Sequence, residues 1–233
     1  MRLGILDCDH IDDRESNYGD YYSERFIKCL KPRLAGWTYS SYRAIDGELP
    51  SSLSECDAWL LTGSRYDAYG DIPWISALSR FVEEAINAGH KMVGVCFGHQ
   101  LLAQALGGRV APSECGWQLG VQHYQLLASR PWMSGDVETL TLPVAHQDQV
   151  QKLPQEASLL AQGECCPHFI YEYRNQILGI QGHPEFDPAY LEILLDKLSD
   201  KLTPEQRERG LASLANPRLD CERVLDWIAN FLR

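Results

Sequence analysis

This sequence has no basic cluster, no long apolar run, no internal repeat and no paired-cysteine metal spacing, and each absence removes a class of function. Acidic side chains number 32 against 21 basic ones, a formal net charge of −11. Without a cationic stripe to meet phosphates, nucleic-acid binding is not expected. No apolar stretch approaches the roughly 20 residues that span a bilayer, so no membrane association is expected. The first residues turn acidic at Asp7, too soon for a signal peptide. The expectation is a soluble, cytoplasmic protein. The eight cysteines are scattered, and a chain of this size does not need disulfide staples, so reduced thiols are expected. Cys165-Cys166-Pro167-His168 is the one tight Cys/His group, and it lacks the paired spacing of a structural zinc site. Neither a metal nor a cofactor is expected.

What is present is enough for one well-buried domain over residues 1–233, with 45% hydrophobic content. Strand-like and helix-like patterns alternate. Residues 3–9 read as a buried strand and 19–30 as a helix with Phe26, Ile27 and Leu30 on one face. Strands follow at 38–44 and 57–62, the second stopping at Gly63. Ile75, Leu78, Phe81, Val82, Ala85 and Ile86 set a helical period that Gly89 ends. Residues 91–95 form a short strand apolar on both faces, as in a covered parallel sheet, and 98–106 a helix. From 110 to about 144 the pieces are short and strand-like, which suggests a small antiparallel excursion. Another central strand is expected at 177–181. Beyond it, helices open at Asp187-Pro188 and at the capping-box pattern Thr203-Pro204-Glu205-Gln206, and 224–232 is amphipathic. The alternation implies an α/β fold on a mostly parallel sheet, whose ligands bind beyond the carboxyl ends of the strands, where Gly63 and Cys96 fall.

Chemistry concentrates at Gly94-Val95-Cys96-Phe97-Gly98. Glycines two positions either side of a nucleophile permit a strained strand-to-helix elbow that presents the side chain outward. A helix starting just after Cys96 brings positive dipole and free N–H groups to the sulfur, which favours the thiolate. The Phe97 N–H then supplies half of an oxyanion hole, and Gly63, ending its own strand, is the best source of the other half. Downstream, Gly182-His183-Pro184-Glu185 offers a general base and acid in His183 and, two residues on and on the same side of an extended chain, a carboxylate in Glu185 to fix its tautomer. A lone cysteine after a strand is ordinarily packing, and a histidine before proline ordinarily a loop residue. The joint pattern is what points to acyl transfer.

These two motifs resemble those of the class I glutamine amidotransferases, the Cys-His-Glu glutaminases, and especially free-standing members similar to the glutaminase part of GMP synthase. Leu61-Thr62-Gly63-Ser64-Arg65, Pro73-Trp74-Ile75, Ala103-Gln104-Ala105-Leu106-Gly107-Gly108, Gly116-Trp117-Gln118-Leu119-Gly120 and His146-Gln147-Asp148-Gln149-Val150 follow in family order, so the likeness covers most of 3–186. It implies a flavodoxin-like fold, and hydrolysis of a γ-glutamyl amide through a thioester on Cys96, with His183 and Glu185 completing a triad. It also implies that Gly63 and Phe97 form the oxyanion hole by their backbones, that Gln100 binds glutamine, and that the His146-Gln147 segment helps hold the glutamyl group, with packing roles equally open for those two side chains. Trp117 is expected in the core.

Departures matter as much. Many ammonia-supplying members carry two small residues and a proline where this chain has Thr62-Gly63-Ser64-Arg65. No phosphate-cradling glycine loop or second catalytic domain follows Phe186, only helices over 187–233, so any ammonia acceptor is expected to be a separate synthase subunit. Three readings stay open: a glutaminase feeding such a subunit, a self-sufficient γ-glutamyl hydrolase or peptidase, and a non-catalytic relative. The intact Cys, His and Glu set argues against the last.

Overall fold

The computed structural model describes residues 1–12, 21–215 and 217–233. Alternating short apolar runs and amphipathic helices have one stable solution, a sheet buried on both faces by helices. Here the parallel half of that sheet is built from β1 (Arg2–Leu6), β2 (Thr38–Tyr42), β3 (Ala58–Leu61), β4 (Lys91–Val95) and β11 (Ile177–Ile180), in the order β2-β1-β3-β4-β11. Every residue of β3 and β11 is buried, as a strand covered on both faces requires.

Helices α1 (Tyr22–Leu30) and α6 (Cys221–Leu232) cover one face, packing Phe26, Leu30, Val224, Trp227, Ile228 and Phe231 against Leu3, Ile5, Leu60, Val93, Val95 and Ile180. Helices α2 (Pro73–Asn87) and α3 (Phe97–Ala105) cover the other, where Trp59 meets Phe81 edge-on at 4.9 Å. At the strand-to-helix corner after β4 the layers touch. A Cβ on Gly94 would lie 2.4 Å from the Gly98 backbone, and one on Gly98 would lie 2.5 Å from the Leu61 carbonyl oxygen. Both positions therefore require glycine, and the elbow is as tight as its spacing implied.

The antiparallel part is larger than a small excursion. β6 (Gln118–Leu126), β7 (Thr139–His146), β9 (Ala157–Gln162) and β10 (Ile170–Tyr173) continue the same sheet, which among the described residues has nine strands in the order β2-β1-β3-β4-β11-β10-β9-β6-β7. Only β5 (Arg109–Pro112) and β8 (Asp148–Lys152) form a separate ribbon. Hydrophobic periodicity locates such strands but not their partners, which lie far along the chain, as in the pairing of Gln125 with Gln162.

The C-terminal helices are integral to the fold. Asp187 caps α4 (Pro188–Lys197) by accepting from Tyr190 N–H, and Thr203 and Gln206 close the anticipated capping box of α5 (Pro204–Ser213). Both helices pack on β6, where Ser213 Oγ accepts from Val121 N–H at 2.9 Å. The expected start of α1, Gly19-Asp20, lies outside the described residues, and the helix as observed begins at Tyr22.

One expectation is corrected. Cys115 and Cys165 are joined by a disulfide with Cα atoms 5.8 Å apart, so reduced thiols hold for six of the eight cysteines. The fold brings the loop after β5 against the loop after β9, a meeting that a sequence separation of 50 conceals.

Candidate active site

Four segments meet at the carboxyl edge of the parallel strands: residues 7–10 after β1, 62–65 after β3, Cys96 after β4 and 181–186 after β11. The elbow holds Cys96 at φ 53° and ψ −104°, a backbone conformation a β-carbon disfavours. Its own N–H donates to Ile180 O at 2.9 Å and its carbonyl accepts from Gln100 N–H at 3.0 Å, so strand and helix together enforce the strain. The residue is 5% exposed, at the floor of a pocket.

His183 reaches the same floor from the β11 side. Its Nδ1 lies 2.7 Å from Glu185 Oε1, with the two side chains 5% and 0% exposed, which leaves Nε2 for the sulfur side. Burial pushes the imidazole pKa down, but the Glu185 carboxylate and the Cys96 sulfur more than reverse it, up to about 10. The ring is further fixed by stacking on Phe186 at 3.9 Å and 3°. Beneath this stack sits the buried Arg25 of α1. Its guanidinium lies 5.1 Å from the Phe186 ring centre and 3.9 Å from that of Tyr190, and Nη2 donates to Glu185 O at 3.1 Å. A desolvated cation on two rings is worth about 2 kcal/mol, enough to pin the segment that carries the histidine.

Gly63 touches both partners. A Cβ there would lie 2.8 Å from His183 Cε1 and 3.7 Å from Cys96 Cβ. The Thr62 carbonyl accepts from Gly98 N–H at 3.2 Å, so the Thr62–Gly63 peptide turns its oxygen toward α3 and, being trans, its N–H away. Phe97 opens α3, where the first N–H groups of a helix have no intrahelical acceptor. A sulfur at a helix N-terminus, beside an imidazole whose proton a buried carboxylate favours, is an arrangement that can carry nucleophilic attack on a carbonyl.

Other sequence candidates fall elsewhere. Gln100 is buried behind the elbow, its Nε2 donating to Asp148 O at 2.8 Å and to Gln181 Oε1 at 3.2 Å. His146 is buried with Nδ1 3.0 Å from Asp148 O, and burial holds its pKa down to about 4, so it is neutral. Gln147 is exposed, and its carbonyl accepts from Ser113 N–H at 2.8 Å. None of the three lines the pocket around Cys96. Trp117, expected in the core, is half-buried and does line it, because it sits in the loop just before β6 rather than on the strand itself.

Sequence reasoning missed most of the pocket wall. Asp9, Tyr22 and Arg65 come from loops and a helix start, and Leu194, Lys197 and Lys201 from the C-terminal helices. Lys201 Nζ lies 5.8 Å from the Trp117 ring centre, and Lys197 Nζ 2.6 Å from Asp12 Oδ2. The departure Ser64-Arg65 was the one sequence signal of this wall.

Comparison with known proteins places the chain in a family. The profile of the family "Glutamine amidotransferase class-I" matches residues 17–195. Gamma-glutamyl peptidase 5 of Arabidopsis thaliana is 31% identical over 225 residues, covering 93% of this chain and 88% of that protein. Gamma-glutamyl peptidase 3 of the same plant is 29% identical, covering 99% and 95%. GMP synthase of Tropheryma whipplei is 26% identical over 90% of this chain but only 41% of its own length. Among solved structures, a glutamine amidotransferase from Thermotoga maritima superimposes with a TM-score of 0.76 at 19% identity, covering 100% of this chain and 96% of its own. With the profile spanning most of its length, the chain belongs to the class I glutamine amidotransferase family.

Proposed function

We propose that the protein hydrolyses the γ-glutamyl amide bond of a γ-glutamyl compound through a thioester on Cys96, acting without a synthase partner. The observation that carries this reading is the convergence of Cys96, His183 and Gly63 at one pocket floor, with Glu185 bound to the far side of the imidazole. The Cys96 thiolate attacks the γ-carbonyl, and the N–H groups of Gly63 and Phe97 receive the oxyanion. The C–N bond breaks as His183 Nε2–H protonates the departing nitrogen, leaving an acyl-enzyme and a free amine. A water molecule then gives a proton to His183 and attacks the thioester. Glutamate leaves and the sulfur is regenerated.

Two features favour hydrolysis of small γ-glutamyl compounds over ammonia supply. Two relatives matched over 88% and 95% of their own length bear the name gamma-glutamyl peptidase. Leu194, Lys197, Leu198 and Lys201 of the C-terminal segment line the pocket, so the departing group meets this chain's own side chains. Lysines and Trp117 at that rim, in a chain of net charge −11, suit a leaving amine that carries a carboxylate, as in a γ-glutamyl dipeptide. The second reading, a glutaminase serving a separate synthase, rests on the similarity to GMP synthase.

The test is to incubate the purified protein alone with glutamine, γ-glutamyl dipeptides and γ-glutamyl amines, and to follow glutamate release. Fastest turnover of the dipeptides is expected. Turnover of glutamine alone, and only after a partner is added, would establish the second reading. No release from any substrate under either condition would refute hydrolysis.

A further inference from the structure

Asp9 and Arg65 are used by no step above, yet they face the same pocket. Asp9 is buried, and its carboxylate accepts from Arg65 N–H at 2.7 Å and from Arg65 Nε at 2.7 and 3.0 Å. Arg65 Nη2 donates to His10 O at 2.7 Å, and His10 N–H to Asp9 Oδ1 at 2.8 Å. Two loops are thereby tied together, the one after β1 and the one that begins with Gly63. The lacing continues inward: Cys8 N–H donates to Thr62 Oγ1 at 2.9 Å, and that hydroxyl donates to Gly63 O at 3.2 Å.

Gly63 is thus held from both ends. Its preceding peptide is oriented by Gly98, its carbonyl by Thr62, and the chain two residues on by Asp9. A glycine has no side chain to resist rotation, so its N–H direction depends on such neighbours. Burying a carboxylate is costly, and an ion pair serving stability alone is commonly replaceable by apolar groups. A carboxylate spent on a backbone N–H and a guanidinium fork together serves geometry instead.

We propose that Asp9 and Arg65 are positioning residues that hold the Gly63 N–H in the orientation an oxyanion requires. The proposal rests on the thioester mechanism above, since only a tetrahedral intermediate needs that donor. It separates two reactions of the same sulfur. Amide hydrolysis passes through an oxyanion, whereas alkylation by a haloacetamide is direct displacement at carbon and needs no hole.

The test compares the full-length wild type with Arg65→Met, Arg65→Lys and Asp9→Asn, measuring kcat and KM on a γ-glutamyl dipeptide and the rate of Cys96 alkylation by iodoacetamide. The Arg65 side chain is 46% exposed, so its variants keep the fold available if Asp9→Asn does not express. The expected result is a fall in kcat of about 10- to 100-fold, near the loss of one oxyanion donor. KM should stay within about threefold and alkylation within about twofold on the same reasoning. Arg65→Lys, which keeps the charge but loses the fork, should match Arg65→Met. Unchanged kcat overturns the proposal. So does a raised KM at unchanged kcat, which would make the pair a substrate-binding element, and so does alkylation falling in step with kcat, which would make it purely structural. An inactive wild type would instead overturn the hydrolase reading and the clamp with it.

Discussion

Replacing Glu185 with glutamine keeps the size of the side chain and removes its charge, which isolates the electrostatic part of the His183–Glu185 contact. The pair is 2.7 Å apart and almost fully buried, so little solvent screens it. An opposite charge at such range moves a pKa by about 1–3 units, each worth about 1.4 kcal/mol. With the carboxylate gone, burial acts on the imidazole with only the sulfur opposing it. The pKa should fall from about 10 to between about 7 and 9. If, as proposed, the imidazolium protonates the departing nitrogen, the alkaline limb of kcat/KM should move down by the same interval. At neutral pH the imidazolium stays half or more populated, so the drop of about 10²-fold or more expected there comes from losing the carboxylate's hold on the ring's tautomer and charge. It should be smaller than the loss on removing the sulfur. The stability sign follows from the same shift. A histidine whose pKa is raised on folding stabilises the native state fully below its unfolded value of about 6.5 and ceases to do so as pH rises through about 10. The variant, its pKa still above about 6.5, should lose part of that stabilisation at neutral pH and show a smaller decline of stability between about pH 7 and 10. The assays are a pH–rate profile on a γ-glutamyl dipeptide and thermal unfolding across the same range. An alkaline limb that stays put in Glu185→Gln would refute the reasoning.

Cys96→Ala should abolish turnover with unfolding behaviour intact, and a glutamine-directed alkylating analogue should label Cys96 alone in mass-spectrometric mapping. Burial raises the pKa of the other five free thiols, Cys166 and Cys221 each to about 12, so spread labelling would count against a selectively reactive Cys96. Gly63→Ala drives a methyl to 2.8 Å from His183 Cε1, and should cost about 1–3 kcal/mol in chemical denaturation together with most of kcat. In acid the buried histidines govern stability. Burial lowers His99 to about 3 and His146 to about 4, so each opposes folding once pH drops below about 6.5, where the unfolded chain takes up the proton first. His146→Gln should therefore flatten the loss of stability between pH 6.5 and 4 in urea titrations, and an unchanged slope would show that other groups control it.

What the sequence reveals most clearly is local. The elbow is legible because glycine spacing and strand–helix order are local properties, and Gly94 and Gly98 prove to be the two positions where the backbones touch. His183 and Glu185 are legible as a pair because two residues of extended chain put both on one side, and they meet at 2.7 Å. Segments that need distant partners are hidden. Cys115 gives no sign that Cys165 lies beside it, and β9 and β10 give no sign that they extend the main sheet rather than flank it. Gln100 illustrates a different loss. Its place one helical turn past the nucleophile does not tell whether its side chain turns to the pocket or, as found, inward to Asp148 and Gln181.

One side of the pocket wall and the imidazole belong to one uninterrupted stretch of chain. His183 stacks on Phe186, Phe186 meets Tyr190 edge-on at 4.5 Å, and the helix that starts at Pro188 ends in the wall residues Leu194 and Lys197. Arg25 bears on this stretch near its middle like the pivot of a lever. Under the proposed mechanism, a guest that displaces Leu194 or Lys197 is expected to displace the His183 ring along the same chain, so a poor shape would be penalised in alignment of the base as well as in fit. Discrimination among substrates built this way registers in turnover, beyond any difference in how tightly they are held.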